Sequence, residues 1–144
     1  MVRMLHKAAG YLGFGLIAAF FVSTIVVETM GDPAQIALVK RGIFYTIFLL
    51  VPVMAAAALT GRALAKSRHP DETAARKKRR TPLIGLNAVF ILIPLAVALH
   101  RLAEAGDFGG LFYLLQGAEL GFGALNLFWL SRNIRDGKQL ALGR

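Results

Sequence analysis

Hydrophobic and polar residues follow one another along this chain in long blocks rather than at short intervals. Four nearly uncharged runs are separated by hydrophilic connections, and they predict membrane-spanning helices over 8–28, 42–61, 82–102 and 109–130. Each run has about 20 residues, the length that an α-helix needs to cross a hydrocarbon core of about 30 Å. The pattern therefore predicts an all-α integral membrane protein, a single antiparallel up-down bundle of four transmembrane helices over 1–144.

Composition agrees with this prediction, because 56% of the residues are apolar, only 17% are charged and the mean hydropathy is +0.58. These values are more apolar than those of ordinary soluble domains. The net charge of +9 does not indicate nucleic-acid binding, since the basic residues lie between apolar spans and not beside base-stacking aromatic side chains. Cysteine is absent, so we expect no disulfide framework and no thiolate metal site.

Lysine and arginine are distributed unequally among the connections. Of the 17, 14 lie in the N-terminal lead, the basic loop 62–81 and the C-terminal tail, and three lie in the other two connections. The positive-inside bias then places both termini and this loop in the cytoplasm. We expect a multi-pass protein of the cell membrane, specifically a bacterial inner membrane. The basic block RKKRR at 76–80 either fixes this orientation or binds anionic lipids.

The fourth span carries a glutamate, Glu119, near its middle. An ionisable group within hydrocarbon is costly and is tolerated mainly where it faces protein or water, so Glu119 marks a candidate functional site. On an ideal helix Gln116, Glu119 and Asn126 share one stripe, and Asn87 in the third span lies at a depth where it could hydrogen-bond Asn126. These four residues either bind a small solute, ion or proton, or hold the helices together as interhelical hydrogen bonds.

Further polar residues extend this set toward the non-cytoplasmic surface. We expect a polar track leading to Glu119 through the following residues: Glu28, Tyr45, Thr46, His100 and Gln116. His100 points away from the stripe that contains Asn87, so these two residues have different neighbours.

The same outer residues open a redox alternative, in which the protein holds haem through His6 or His100, or a quinone near His100, Tyr45 and Tyr113. His6, just before a Gly-rich helix, resembles the haem-ligating histidine of some small bacterial membrane proteins. The predicted orientation places His6 and His100 at opposite membrane faces, where they cannot ligate one iron. No cofactor is favoured, and haem or quinone is the runner-up.

Small residues recur on two helix faces, one with Gly15, Ala19 and Ser23 and the other with Gly117, Gly121 and Ala124. Such faces let helix backbones approach closely in lipid. Because four spans enclose little volume, we expect a homo-oligomer or a subunit of a membrane complex. Four short spans with one intramembrane glutamate are similar in architecture to small multidrug exporters, although their acidic residue lies in the first helix and not in the fourth.

No catalytic signature is present, because the chain lacks a Gly-rich phosphate loop, an HExxH motif and a GxSxG motif. Three classes of function remain open. The protein binds or passes a solute, ion or proton at Glu119; or it is a membrane electron-transfer subunit; or it is an accessory or assembly subunit without a site of its own.

Overall fold

The computed structural model describes residues 1–66 and 72–141, and nearly all of these residues are helical. The elements are α1 (Val2–Met30), α2 (Pro33–Lys66), α3 (Glu72–Asn87), a π-helical turn (Ala88–Leu92), α4 (Ile93–Glu104) and α5 (Gly110–Ala141). The third span consists of α3, the π-helical turn and α4. The described residues thus form four helical segments that are long and apolar enough to cross a membrane.

All four segments extend beyond the predicted apolar runs at one end or both, and the difference that matters for the site is at the start of α2. This helix begins at Pro33, whereas the sequence analysis placed the start of the span at 42. Asp32 Oδ1 accepts a hydrogen bond from the Gln35 backbone N–H at 2.9 Å, and the Gln35 side chain accepts one from the Asp32 backbone N–H at 3.2 Å. This reciprocal capping box, with Pro33 in the first helical position, starts the helix there.

The predicted basic loop 62–81 is also largely helical where the structure describes it. α2 continues to Lys66 and α3 begins at Glu72, so that only 67–71, which lie outside the described residues, separate the two helices. At the other end of the third span, Gly106 has a positive φ of 70° and ends α4. The Asp107 backbone N–H bonds back to the Leu102 carbonyl at 2.9 Å, which satisfies a carbonyl at the helix end.

The helices form a closed ring in chain order, since each span packs against the next and α5 returns to α1. His6 near the start of α1 lies against Thr60 near the end of α2, and Arg80 in α3 contacts Asp136 near the end of α5. These contacts place the start of α1, the end of α2, the start of α3 and the end of α5 together, and we call this side of the bundle the basic end. The two short connections around Gly31 and Gly106 form the opposite side, the hairpin end.

The core consists of two apolar clusters at different levels of the bundle. Near the hairpin end, Ile36, Leu99, Ala103 and Phe112 pack together. Toward the basic end the cluster contains the following buried residues: Ile17, Ile84 and Leu130. Many large apolar side chains instead face outward, as expected where the surrounding medium is lipid rather than water.

The π-helical turn Ala88–Leu92 directly precedes Pro94 in the third span. Proline has no backbone N–H, and its ring clashes with the carbonyl four residues earlier in a regular α-helix. The wider π turn separates these groups and lets the span continue to Glu104.

The predicted small faces are not the packing faces within the bundle. A Cβ placed on Gly15, Gly117 or Gly121 would meet nothing within 4 Å, whereas one on Gly13 would lie 2.5 Å from Met54 Sδ. Gly13 is buried and is the position where α1 and α2 approach closely. The outward small faces are therefore free to contact lipid or another protein chain.

Candidate functional site

The site begins with an ion pair between two helices that are far apart in sequence. Lys40 Nζ in α2 donates a hydrogen bond to Glu119 Oε2 in α5 at 2.6 Å. The Lys40 side chain is 1% exposed and the Glu119 side chain 14% exposed, so both charges lie inside the bundle. Glu119 is nine residues into α5, about 13 Å from its start at 1.5 Å per residue.

Lys40 is a residue of this candidate site that was not predicted, because the sequence pattern placed this lysine in a connection outside the membrane. The early start of α2 puts Lys40 two turns inside a helix, on the same buried stripe as Ile36 and Ile43. Arg41, the next residue, points outward and forms an exposed ion pair with Glu104. The signal was present in the sequence: Asp32, Pro33 and Gln35 have the spacing of a helix start.

Two neutral polar side chains surround the pair. Gln116 Nε2 donates to Glu119 Oε2 at 3.2 Å, and Thr24 Oγ1 in α1 lies 3.5 Å from Lys40 Nζ. Gln116 is 3% exposed and Thr24 is 2% exposed. Gln116 Oε1 is buried without a hydrogen-bond partner among the residues that the structure describes. An acceptor oxygen therefore remains available beside the ion pair.

A second carboxylate completes the group. Glu28 in α1 is close enough to Lys40 and Glu119 for both charges to act on it. Its Oε1 is buried and has no hydrogen-bond partner within 1–66 and 72–141. We call Glu28, Lys40 and Glu119, together with Thr24 and Gln116, the ion cluster. With its three ionisable groups charged, the cluster has one net negative charge and can take one further positive charge.

The predicted hydrogen bond between Asn87 and Asn126 is not formed. Asn87 Nδ2 donates to the Phe122 backbone carbonyl at 3.1 Å and not to Asn126. Asn126 is fully buried, and neither its Oδ1 nor its Nδ2 has a partner in the described part of the chain. Both residues lie farther along the bundle than Glu119, toward the basic end, and neither contacts the ion cluster.

The expected polar track divides into two separate sites. His100 stacks on Phe44 with ring centroids 4.5 Å apart, and the Tyr45 ring lies 6.4 Å from it. His100 Nδ1 is buried without a partner among the described residues. Thr46 hydrogen-bonds the Gly42 carbonyl of its own helix. His100, Phe44 and Tyr45 thus meet between α2 and α4 without Thr46, whereas Glu28, Gln116 and Glu119 belong to the ion cluster of α1, α2 and α5.

The remaining candidates are at other places. His6 Nδ1 lies 2.9 Å from the Ala57 carbonyl oxygen and 3.2 Å from Thr60 Oγ1, so it connects α1 and α2 at the basic end. His100 lies toward the opposite, hairpin end. Tyr113 packs edge-on against Phe112 and is 55% exposed. No three His, Cys, Asp or Glu side chains converge as metal ligands within the described residues.

Comparison with known proteins assigns no family, because no protein-family model, curated protein or solved structure matches this chain. Function is therefore argued from the geometry and chemistry of the chain itself. Within the described residues, the ion cluster combines the deepest burial of charge with acceptor oxygens that have no protein partner.

Proposed function

We propose that this chain is a multi-pass membrane protein that binds a proton or a small monovalent cation at the ion cluster and passes it through the bilayer as a homo-oligomer. The observation that carries the proposal is the buried Lys40–Glu119 pair, together with the buried oxygens Glu28 Oε1 and Gln116 Oε1, which have no hydrogen-bond partner within the described residues. A structural ion pair needs one carboxylate for one ammonium. The additional carboxylate creates a place for an exchangeable positive charge.

The low dielectric of the site makes this charge balance important. A net charge inside a membrane protein is poorly solvated, so a binding partner of opposite charge is strongly favoured. A proton on either carboxylate, or a cation held by the oxygens of Glu28, Gln116 and Thr24, would make the cluster neutral. Occupancy would also change how strongly Lys40 is held by Glu119, which couples binding to the contact between α2 and α5.

The positions of the polar groups support a route for the ion. Glu28 lies two residues before the end of α1, near the hairpin end, and is half-buried. Toward the basic end, the inner face of α5 continues with further buried polar residues: Asn126, Asn133 and Asp136. They continue the polar side of α5 that begins with Gln116 and Glu119. Polar side chains on intramembrane helix faces are typical of ion and proton pathways.

The test is ion flux in proteoliposomes, where a pH-sensitive dye reports proton flux driven by a K⁺/valinomycin potential and a Na⁺-sensitive dye reports cation flux driven by a Na⁺ gradient. Wild-type protein should show one of these fluxes, and the double variant Lys40→Met/Glu119→Gln should not, because it removes the charges that couple occupancy to the helices. Arg41→Met/Glu104→Gln is the matched control, since it makes comparable changes in an exposed ion pair. Equal flux from wild type and the folded double variant would refute the proposal.

A quinone or similar amphiphile is the second candidate, supported by a different observation. An apolar groove of about 350 Å³ runs between α2 and α4, lined by Phe44, Phe48, Pro52, Ile93 and Val97, and His100 stacks on Phe44 at its end. The buried Nδ1 of His100 could hydrogen-bond a ring carbonyl.

This candidate predicts that a short-chain quinone binds to the purified protein and that His100→Leu weakens binding. Tyr113→Phe should leave it unchanged, because Tyr113 packs on Phe112 of α5, whereas His100 stacks on the groove residue Phe44. The absence of saturable binding to wild-type protein would exclude this function. A chain that shows neither ion flux nor quinone binding would match the accessory-subunit alternative.

A further inference from the structure

A second polar site lies at the basic end, far from the ion cluster, where α3 and α5 approach each other. A groove of about 420 Å³ is lined there by four arginines, Arg76, Arg80, Arg132 and Arg135, and by the aromatic residues Phe128 and Trp129. Asp136 is the carboxylate among the lining residues. The groove thus combines cationic side chains from two segments that are more than 50 residues apart.

The charge of this groove is only partly balanced by the protein, since Arg76 pairs with Glu72 but Arg132 and Arg135 have no carboxylate partner within the described residues. Arg80 donates to Asp136 in a largely buried ion pair, so the single lining carboxylate is already engaged. Arg80 Nη1 is buried and has no hydrogen-bond partner within the described residues. Arg132 lies over the Phe128 ring at 5.4 Å, which holds its guanidinium at the groove. A buried guanidinium nitrogen without a partner favours an anionic ligand with oxygen acceptors.

The level of the groove in the bundle indicates the source of that anion. Arg80 comes directly before the apolar run of the third span, and Arg132 and Arg135 come directly after that of the fourth. Arginine and tryptophan at the ends of apolar helices lie at the level of lipid head groups. Phe128 is exposed beside the groove and offers an apolar surface to an acyl chain.

We infer that this groove binds the phosphate of an anionic phospholipid, with Arg80, Arg132 and Arg135 as its main ligands. The inference does not depend on the ion cluster. It also differs from a general attraction between the basic block and the membrane surface, because Arg79 and the two lysines of that block do not line the groove. Specific recognition instead requires the two arginines of the C-terminal segment.

The chain provides its own probe for this binding, since Trp129 is its single tryptophan and lines the groove. The protein is reconstituted into phosphatidylcholine bilayers that contain a small fraction of phosphatidylglycerol brominated on its acyl chains. Bromine quenches tryptophan fluorescence at short range. Quenching should exceed that from the same fraction of brominated phosphatidylcholine, and unlabelled phosphatidylglycerol should reverse the excess.

Arg132→Gln and Arg135→Gln should each reduce the preference for phosphatidylglycerol about tenfold or more, because each removes a charge-assisted hydrogen bond to the phosphate. Both residues are exposed and outside the Arg80–Asp136 pair, so the variants should still fold. Arg79→Gln is the matched control and should reduce the preference by at most about fivefold, because it removes only the general attraction of one basic residue to an anionic surface.

Three results would overturn the inference. Equal quenching by the two brominated lipids would show that the groove has no preference, and an equal effect of Arg79→Gln and Arg132→Gln would show diffuse attraction. Reversal of the excess quenching by millimolar inorganic phosphate would identify free phosphate, rather than a lipid, as the ligand.

Discussion

At the residue scale, Lys40 and Arg41 show how position on a helix decides what a charge does. The two residues are adjacent and both are cationic, yet Lys40 is buried against Glu119 while Arg41 pairs with Glu104 at the surface. An exposed pair contributes about 0–1 kcal/mol, because water and salt screen it. Removing one partner of a buried pair costs several times more, because a charge is left without compensation.

We therefore predict that Lys40→Met lowers the free energy of unfolding by about 3–5 kcal/mol. Glu119→Gln should cost less, because Glu28 remains as a counter-charge for Lys40. The double variant should be more stable than Lys40→Met alone, since it removes both members of the pair. Reversible unfolding in mixed detergent micelles measures these differences.

The matched cycle uses Arg41→Met and Glu104→Gln, whose interaction energy should be below about 1 kcal/mol. Similar interaction energies in the two cycles would contradict the burial of the Lys40–Glu119 pair. Lys40 and Arg41 are adjacent on α2, so the two cycles compare ion pairs on the same helix and at nearly the same depth in the membrane.

Part of the site could be predicted from the sequence at this scale. Glu119 and Gln116 stood out because each is a polar residue within an apolar run, and the structure places them in hydrogen-bonding contact. Lys40 was missed because the charged pair Lys40-Arg41 was taken as the boundary of a span. Its partner could not be identified in any case, since a contact between α2 and α5 depends on the order of the helices in the bundle.

At the scale of the elements, the apolar runs located the four segments but not their ends. Helix ends are set by a few residues. The capping box of Asp32 and Gln35 starts α2, and Gly106 with its positive φ ends α4. The π-helical turn before Pro94 likewise depends on one residue. Hydropathy averages over such signals, so it finds where a helix crosses the bilayer and not where it begins.

Small residues of α1 and α5 stood out in the sequence, but the close approach of α1 and α2 is at Gly13, outside both predicted small faces. We predict that Gly13→Leu destabilises the monomer by about 1–3 kcal/mol, because its side chain would overlap Met54 and force α1 and α2 apart. Gly121→Leu should leave the unfolding free energy of the monomer unchanged, since its Cβ would point into open space.

The Gly121 variant still tests the proposed oligomer. If copies of the chain pack through the outward face of α5, Gly121→Leu should reduce the oligomer size in detergent, measured by light scattering, without changing helix content.

For the Gly13 prediction, an unfolding free energy that Gly13→Leu does not change would contradict the close approach of α1 and α2.

At the scale of the whole molecule, the bundle separates charge between its two ends. The basic end contains His6, Thr60, Arg80 and Asp136. It is therefore formed by the start of α1, the end of α2, the start of α3 and the end of α5. With Lys40 buried inside the bundle, Arg41 and Arg101 are the exposed cations of the hairpin end within the described residues. The structure thus strengthens the charge asymmetry that the sequence indicated.

The last prediction is that the basic end faces the cytoplasm. The insertion bias opposes the transfer of Lys- and Arg-rich segments across the membrane, and 12 of the 15 basic residues that the structure describes belong to segments at this end. Because the chain has no cysteine, single introduced cysteines report the side without background labelling. Glu72→Cys and Gln139→Cys at the basic end, and Ala105→Cys at the hairpin end, occupy exposed positions.

In intact cells, a membrane-impermeant maleimide should label Ala105→Cys and should not label Glu72→Cys or Gln139→Cys until the membrane is permeabilised. A permeant maleimide is the control for access, because a cysteine that this reagent does not label is buried and reports nothing about sidedness. Labelling of Glu72→Cys in intact cells would reverse the orientation. The ion cluster would then open toward the cytoplasm, because Glu28 and the start of α5 lie near the hairpin end, and the direction of ion entry would change with it.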